Sequence, residues 1–356
     1  MSSVNDARVP QVRTARRASG RAQMSQVADL AGVSSATVSR VLRNPEVVSE
    51  ALRSRVANAV SQLGYVPNRM AGGLAAARAP TVGVIVPSLS NSFFAATIEA
   101  MAERFELHGY QIMLGNSGYL VEREEALVSS FLSWSPSAIV LTGQHHSRNT
   151  LKRLMNADLP VVEMWELAEN PLDSAVGFSH RAAGQAAALH LLSRGRRRLG
   201  FVGAALGQDR RANQRRAGFL ETVAGSSGAP ASEYSIAVRA SVEAGGGAMA
   251  ALMASHPDLD AVFFSNDALM IGAMFECQRR GLRVPADIAL IGFGDLDLTA
   301  CSVPTLSTIR PPRAEIGRAV ADHLLRRFSH PDMGGETLDL GFELIAREST
   351  EVVPQN

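Results

Sequence analysis

The residue types that usually carry enzyme or metal chemistry are few in this sequence and lack the spacing that such chemistry needs. Cys277 and Cys301 stand outside any paired spacing, which indicates neither a disulfide framework nor a zinc site. The single lysine, Lys152, does not follow the glycine pattern of a phosphate-binding loop, and His145 and His146 have no further ligand at metal spacing. Because HExxH and GxSxG motifs are also missing, we expect no enzymatic activity, no metal and no cofactor.

Arginine is the residue type that stands out, and its distribution along the chain is uneven. The 356 residues include 35 basic and 34 acidic ones, for a net charge of +1. Residues 1–79 contain eleven arginines and four acidic residues, a charge of +7, so the remainder carries −6. This asymmetry is typical of a nucleic-acid-binding segment joined to another domain.

Three short helices are predicted within this basic segment. Ser25 can cap the first helix, Gly32 permits a sharp turn, and Ser34 can cap the second helix, which ends at Asn44. A third helix is predicted to begin at Ser49 and to end at a glycine. Two short helices joined by a glycine turn are typical of a helix-turn-helix.

Two weakly structured segments flank these helices. Residues 1–23 lack apolar periodicity, which predicts a disordered basic tail that either contacts phosphates or is an unstructured leader. Residues 68–79 begin with an asparagine cap and include Gly72 and Gly73, which together cost about 2 kcal/mol of helix propensity. The sequence predicts neither a secretory leader nor a membrane span, and the cysteine usage predicts a reducing, cytoplasmic compartment.

Beyond residue 80, short apolar runs alternate with amphipathic helical stretches, which is typical of parallel sheets flanked by helices. Two such series predict two similar lobes, with ligands at the carboxyl ends of the strands. The predicted strands are Val82–Val86, Gln111–Leu114, Ala138–Leu141, Val161–Met164, Ala175–Phe178, Leu199–Val202, Ala261–Phe264 and Ile288–Ile291.

Together these features resemble the LacI/GalR family of transcription regulators over residues 24–350. The resemblance is carried, in order, by VADLAGVSSATVSRVLRNPEVVS, LGYVPNRMAGGL, VGVIVPSLSNSFF, FFSNDALMIGAM, GLRVPADIALIGF and PTLSTIRPP. Among members, the sequence is most similar to the gluconate-operon repressors. The resemblance implies an all-α helix-turn-helix headpiece over 24–67, a hinge over 68–79, and a two-lobed α/β core of the type I periplasmic-binding kind over 80–350.

The resemblance places the second helix in the major groove of DNA, with Ser35, Ala36, Ser39 and Arg40 facing the bases. An arginine fork can bond O6 and N7 of guanine, which contributes about 1–3 kcal/mol of discrimination. We therefore expect Arg40 to be the main specificity contact, the alternative being a solvated side chain that suits the helix dipole. Ser35 and Ala36 offer only short contacts, such as one to a thymine methyl.

Four further positions are expected to contact DNA. Ser34 and Thr37 are expected to contact phosphates, and Asn68 begins the hinge helix that the family orders on its operator. The resemblance makes Leu74 the residue that enters the minor groove and kinks the duplex, the alternative being ordinary helix packing.

An effector site between the lobes is the second implication of the resemblance. Arg215 would clamp the carboxylate of a sugar acid, whereas the neighbouring Arg210, Arg211 and Arg216 are expected to be solvated. The amide of Asn266 suits sugar hydroxyls. The residues expected in this site are Ser90, Asn91, Phe93, Glu163, Arg215, Asn266, Asp267 and Asp295.

Alternatives accompany several of these residues. Asp267 is equally suited to cap the following helix, Glu163 to form a structural ion pair, and Phe93 to belong to the core. Gly294 stands where many sugar-binding relatives have an aspartate, which favours an anionic effector. His180 is expected to start a helix rather than to contact the ligand.

The sequence thus predicts a homodimeric repressor that binds a palindromic operator and is induced by a sugar acid such as gluconate. Within the family, the alternatives are a neutral sugar, a sugar phosphate or a corepressor. From other classes, a solute-binding protein conflicts with the headpiece, and an architectural DNA binder would fill its cleft with apolar side chains. No leucine-heptad tail is present, so tetramers are not expected.

Overall fold

The computed structural model describes residues 22–66, 78–89, 93–167, 170–227 and 230–351. The chain divides into two compact units, residues 1–77 and 78–356. Almost all of the predicted tail lies outside the described residues. The same is true of Asn68, Leu74, Ser90 and Asn91.

The described residues of the first unit form three α-helices: α1 (Met24–Ala31), α2 (Ser35–Arg43) and α3 (Glu50–Leu63), with a 3-10 turn at Pro45–Val47. The prediction that Ser25 caps α1 was wrong, because the cap is Gln23 and Ser25 lies inside the first turn of the helix. Gln23 is the extended cap residue, and its N–H donates to Gln26 Oε1 at 2.9 Å. The Gln26 side chain therefore satisfies a backbone donor that the first turn leaves free.

The turn between α1 and α2 is held by backbone geometry and by one arginine. Gly32 adopts a left-handed conformation with φ +62°, which a residue with a Cβ rarely adopts. The Arg55 guanidinium reaches from α3 and donates to the carbonyls of Ala31 and Gly32. Apolar side chains of all three helices form one small core, which contains Val27, Ala28, Ala31, Val38, Val41, Val56, Ala59 and Tyr65.

In the second unit, the described residues form two six-stranded sheets, one in each lobe. The N-terminal lobe has the strand order β11-β5-β4-β3-β1-β2, and the C-terminal lobe has the order β12-β10-β9-β8-β6-β7. In chain order, the strands are β1 (Ala79–Val86), β2 (Gln111–Asn116), β3 (Pro136–Thr142), β4 (Val161–Met164), β5 (Ser174–Gly177), β6 (Leu199–Ala204), β7 (Ser232–Ile236), β8 (Ala261–Phe264), β9 (Ala289–Phe293), β10 (Ser307–Arg310), β11 (Thr337–Asp339) and β12 (Glu343–Ile345).

Helices cover the faces of both sheets, and three pairs pack closely: α4 with α12, α7 with α8, and α9 with α10. The helices are α4 (Ala95–Glu106), α5 (Val121–Leu132), α6 (Arg148–Asn156), α7 (His180–Ser193), α8 (Arg210–Ser227), α9 (Val242–Ser255), α10 (Asp267–Arg279), α11 (Asp297–Cys301) and α12 (Arg313–Ser329), followed by a 3-10 turn at Glu348–Thr350.

All eight predicted strands are present, and the helical headpiece with a two-lobed α/β core confirms the predicted fold class. Four strands were missed. β7 is a polar edge strand without apolar alternation, and β11 and β12 have only three residues each. β10 carries a mixed Ser-Thr-Ile-Arg run. Short or polar strands lack the pattern on which sequence prediction depends.

The chain passes between the lobes three times, after β5, after β10 and between β11 and β12. Among the strands that the structure describes, every pairing is parallel except the one between β10 and β12. Polar loops that follow strand carboxyl ends therefore gather at one edge of each sheet, where ligands bind in open parallel sheets.

Candidate functional site

One face of α2 is open to solvent and the other is buried. Ser35, Ala36 and Arg40 are exposed, and Ser39 is half-buried beside them. Val38 on the opposite face is fully buried. The helix therefore presents the four residues that were expected to face DNA bases as one surface.

Ser34 serves as the cap of α2, as expected. Its Oγ accepts a hydrogen bond from the Thr37 N–H at 3.1 Å and lies 2.9 Å from the Thr37 hydroxyl. The helix begins with this satisfied cap and with free N–H groups in its first turn, which is a favourable place for a phosphate.

The second unit contains a cleft with two adjoining cavities, of about 280 Å³ and about 40 Å³. Residues that follow strands of both lobes line these cavities, and Tyr119 and Arg211 line both of them. The small cavity is lined by Phe93, Phe94, Tyr119, Trp165, His180, Asp209, Arg211, Arg215, Asn266 and Phe293.

Arg215 lies in the wall of the small cavity but is held by the protein itself. Its Nη1 donates to His180 Nδ1 at 2.8 Å and its Nη2 to the Ser265 carbonyl at 2.8 Å, while its guanidinium lies 3.8 Å above the Phe293 ring centre. Burial lowers the pKa of Arg215 to about 10, so it stays charged at neutral pH. Among the nitrogens of Arg215, only Nε has no hydrogen-bond partner within the described part of the chain.

His180 begins α7, as expected, and fixes the orientation of Arg215. Its Nε2 lies 2.8 Å from the Trp165 carbonyl, which can only accept, and its Nδ1 faces a guanidinium, which can only donate. His180 is therefore neutral, with its proton on Nε2. Burial, followed by the charges of Arg215 and Arg211, lowers the pKa of His180 well below its usual value.

The expectation that Arg211 is solvated was wrong. Its side chain is buried, lines both cavities and hydrogen-bonds Tyr119. Arg210 is exposed, as expected, although it lines the larger cavity, and Arg216 pairs with Glu233. Adjacent helix residues point about 100° apart, and sequence alone does not say which of these arginines faces the cleft.

The expectation that Glu163 faces the effector was also wrong. Its Oε2 accepts a hydrogen bond from the Leu172 N–H at 2.8 Å, and its Oε1 lies 3.3 Å from His146 Nε2. Glu163 lines neither cavity, because its carboxylate is used within the N-terminal lobe.

Asp267 and Asp295 are likewise engaged beneath the cleft, contrary to expectation. Asp267 accepts hydrogen bonds from the Thr308 hydroxyl at 2.8 Å and the Leu296 N–H at 2.9 Å. Burial raises the pKa of Asp267 to about 6, although these hydrogen bonds oppose the shift. Asp295 pairs with Arg310 and Arg347. Although burial opposes it, hydrogen bonds from these arginines lower the pKa of Asp295.

Asn266, and not Asp267, caps α10. The Asn266 Oδ1 accepts a hydrogen bond from the Leu269 N–H at 3.2 Å. Asn266 also lines the small cavity, so its amide NH₂ is the group that remains for a ligand. The alternative in which Asp267 is the cap is wrong. The residue with the extended backbone of a helix cap is Asn266, and Asp267 is the first residue of the helix.

Sequence reasoning missed several polar residues of the larger cavity. Glu166 is buried there and accepts a hydrogen bond from Gln214, and Glu124 pairs with His146 at 2.6 Å. Burial opposes protonation of His146, but the hydrogen bond with Glu124 and the nearby carboxylate of Glu163 raise its pKa to about 9. A signal existed for Glu166, because it follows a predicted strand by two residues.

Positive and negative side chains both line the two cavities. Arg210, Arg211 and Arg215 face Glu166 and Asp209, whereas protonated His146 is paired with Glu124 and Glu163. Two buried donors in the wall of the small cavity, Trp165 Nε1 and Arg215 Nε, have no hydrogen-bond partner within the described ranges. Positive charge and unpaired donors both suit a ligand rich in acceptors.

Among the described residues, no group of three His, Cys, Asp or Glu side chains is placed to hold a metal ion. No helix in the part of the chain that the structure covers is long and apolar enough to cross a membrane.

Comparison with known proteins identifies relatives over almost the whole chain. Residues 23–68 match the family described as bacterial regulatory proteins, lacI family, and residues 188–350 match a periplasmic binding protein-like domain. The chain is 42% identical over 336 residues to the HTH-type transcriptional regulator GntR of Pseudomonas aeruginosa, covering 94% of this chain and 97% of that protein.

Two further comparisons agree with this one. The chain is 38% identical over 326 residues to the HTH-type transcriptional regulator GntR of Escherichia coli, covering 91% of this chain and 97% of that protein. The crystal structure of a LacI-family transcriptional regulator from Silicibacter pomeroyi superimposes with a TM-score of 0.87 and 35% identity, covering 93% of this chain and 99% of that one.

Proposed function

The chain belongs to the LacI family of bacterial regulatory proteins and is a DNA-binding transcriptional repressor, and we propose that a sugar acid such as gluconate releases it from its operator. The name GntR of its relatives supports this class of effector. The proposal also includes a cytoplasmic homodimer on a palindromic operator, since a two-fold symmetric protein reads two equivalent half-sites.

The observation that carries the effector proposal is the position of Arg211. Its buried guanidinium lies where the two cavities meet, and within the described residues no carboxylate forms an ion pair with it. A buried cation that makes no direct ion pair is costly, and a ligand carboxylate would supply that pair. We therefore assign the carboxylate clamp to Arg211, with the free Nε–H of Arg215 as a second donor.

Neighbouring groups suit the hydroxyls of the same ligand. The Asn266 amide donates from the C-terminal lobe, and buried Glu166 accepts from the N-terminal lobe. The larger cavity, about 280 Å³, is close to the lower end of the range of about 300–1,000 Å³ for small-molecule sites. A small polyhydroxy acid that touches both lobes would favour their closed arrangement.

Operator release tests the effector class directly. The full-length protein would first select an operator from a random-sequence DNA library, and gluconate, glucose and 6-phosphogluconate would then be titrated into the complex. We expect gluconate to release the DNA and to bind in calorimetry, and glucose to do neither. Release by glucose but not by gluconate would overturn the sugar-acid assignment.

A pair of arginine variants tests the clamp. Arg211→Gln should weaken gluconate binding by about tenfold or more, because a hydrogen bond to a charged group contributes about 1.5–3 kcal/mol. Arg216→Gln removes the same charge from the same helix at a residue paired with Glu233, and it should leave gluconate affinity unchanged. Equal effects of the two variants would show that net charge, and not the Arg211 contact, attracts the ligand.

Two arginine variants of the first unit, Arg40→Ala and Arg53→Ala, test base recognition. We propose that Arg40 bonds a guanine, with Ser35, Ala36 and Ser39 beside it on the exposed face of α2. Arg40→Ala should reduce discrimination between operator variants by about 1–3 kcal/mol. Arg53→Ala, at an exposed residue of α3, should weaken all DNA sequences equally. A uniform loss in Arg40→Ala would make it a phosphate contact.

The remaining expected DNA contacts complete the proposal. Ser34 and Thr37 would contact phosphate at the start of α2, where backbone N–H groups and the helix dipole favour an anion. Asn68 would begin the hinge helix, and Leu74 would enter the minor groove at the operator centre.

A further inference from the structure

A phenyl ring of the N-terminal lobe is seated on a glycine of the C-terminal lobe. Phe93 lies between β1 and α4, and Gly294 follows the last residue of β9. Phe93 is buried and lines the small cavity of the cleft. We name this approach of the ring to the backbone the Phe93–Gly294 contact.

Only glycine fits at residue 294. Its φ is +132°, a backbone conformation that residues with a Cβ rarely adopt. A Cβ at this position would lie 2.3 Å from Phe93 Cζ and 2.6 Å from Phe93 Cε1. The Gly294 N–H donates to the Ile309 carbonyl at 2.8 Å, so the backbone is fixed to the neighbouring strand. The missing side chain at residue 294 therefore provides the space that the ring occupies.

Aromatic packing extends this contact into the C-terminal lobe. The ring of Phe93 is nearly parallel to that of Phe293, at 9°, with their centres 6.0 Å apart. Phe293 in turn lies 3.8 Å beneath the Arg215 guanidinium and 6.2 Å from Phe178, which precedes the first crossing between the lobes. A residue of one lobe is thus inserted into a packed cluster of the other.

We propose that the Phe93–Gly294 contact is a latch between the lobes, which stabilises the closed cleft and thereby sets how tightly the cleft retains its effector. Removing the ring removes apolar contact between the lobes. Adding a side chain at residue 294 displaces the ring. Either change shifts the lobes toward an open arrangement. The link to effector retention rests on the proposed function, whereas the latch itself does not.

Trp165 reports cleft opening without any ligand. It is 2% exposed, lines the same small cavity and packs edge-on against Phe94. The only other tryptophan, Trp134, is exposed, so Trp134→Phe leaves Trp165 as the sole tryptophan in the full-length chain, and its emission is excited selectively at wavelengths that tyrosine does not absorb. In this background, Gly294→Ala should increase acrylamide quenching of Trp165 by about threefold, because the open cleft admits the quencher.

Two further variants separate the latch from backbone strain. Gly281→Ala also places a Cβ at positive φ, +69°, but with nothing within 4 Å, and quenching should not change. Phe93→Ala should raise quenching about as much as Gly294→Ala, and the double variant should raise it no further, because both changes break one contact. Circular dichroism confirms that each variant is folded.

The quenching of the single and double variants supports or overturns the latch. Non-additive effects of Phe93→Ala and Gly294→Ala support the latch. Additive effects, or quenching in both single variants equal to that of the parent chain, overturn it.

Gluconate titration then separates this proposal from the proposed function. If the chain without these changes binds no sugar acid while the quenching pattern holds, the effector assignment fails and the latch stands. If gluconate binds equally tightly to Gly294→Ala, the link to retention fails.

Discussion

Two buried histidines beside the cleft carry different charges. His146, in the N-terminal lobe, lies between the carboxylates of Glu124 and Glu163, and its pKa rises to about 9. His180, at the first crossing, lies between a carbonyl and the Arg215 guanidinium, and its pKa falls. Burial disfavours the charged form of both, so the difference comes from their partners.

The two walls of the cleft therefore use histidine in different charge states. In the N-terminal lobe, protonated His146 offsets one of the two negative charges of Glu124 and Glu163, which would otherwise repel an anion more strongly. Near the C-terminal lobe, a neutral histidine orients an arginine without cancelling its charge. One residue type therefore removes negative charge from one wall and preserves positive charge on the other, and both effects suit an anionic effector.

The largest expected effect comes from removing the histidine that is charged. His146→Leu leaves two buried carboxylates facing each other without a cation, which should lower the free energy of unfolding of the core by about 3–5 kcal/mol in urea. His108→Leu, at an exposed histidine of the same lobe, should cost under about 1 kcal/mol. Similar losses in both variants would contradict a charged His146.

A pH titration distinguishes the two histidines by sign. The raised pKa of His146 contributes stability that is complete below about pH 6.5 and is lost as pH rises through about 9, at most about 3 kcal/mol. The lowered pKa of His180 acts on the other side, because its stabilisation is lost as pH falls below 6.5.

Urea midpoints from pH 5 to 10 measure both limbs of this titration. His146→Leu should flatten the alkaline limb and leave the acid limb intact, whereas His180→Gln should do the reverse. If His146→Leu leaves the alkaline limb unchanged, the charge of His146 is not the cause of the decrease in stability at alkaline pH.

A smaller effect is expected on the other wall. Arg215→Met removes a cation whose hydrogen-bonding partners are the neutral His180 ring and the Ser265 carbonyl. The variant therefore leaves no buried carboxylate without its ion-pair partner. The loss of unfolding free energy should be about 1–3 kcal/mol, from unsatisfied acceptors alone. A loss as large as that of His146→Leu would show that the two walls do not differ as proposed.

The smallest effect is expected outside the cleft. Arg216→Gln breaks a partly exposed ion pair with Glu233 one residue along the same helix, and it should change the free energy of unfolding by about 0–1 kcal/mol. Comparison with Arg215→Met under identical conditions measures how much burial amplifies the loss of one arginine. Equal losses of unfolding free energy in the two variants would show that burial does not increase the cost of removing an arginine.

Much of the architecture could be predicted from the sequence. Apolar periodicity located three helices of the headpiece and eight strands of the core, because long elements carry a repeated burial pattern. The cap of α1 and four short or polar strands were missed, because a cap depends on which backbone residue is extended and an edge strand needs few apolar residues.

The site was predictable only in part. Arg215, Asn266 and Phe93 do line the small cavity, whereas Glu163, Asp267 and Asp295 are engaged elsewhere. Their roles toward an effector stay predictions. A carboxylate at a strand end can face the ligand or a neighbouring loop, and the choice depends on partners that are distant in sequence, such as Arg347 for Asp295.

By itself, the sequence determined the fold class, the charge division between headpiece and core, and the exposed face of α2, because periodicity, composition and turn residues are local properties. Only the tertiary structure decided that Arg211 and not Arg216 faces the cleft, that His146 is charged while His180 is neutral, and that Phe93 occupies the space left by Gly294. Those outcomes depend on contacts between segments that only folding brings together, and such contacts set burial, charge state and steric fit.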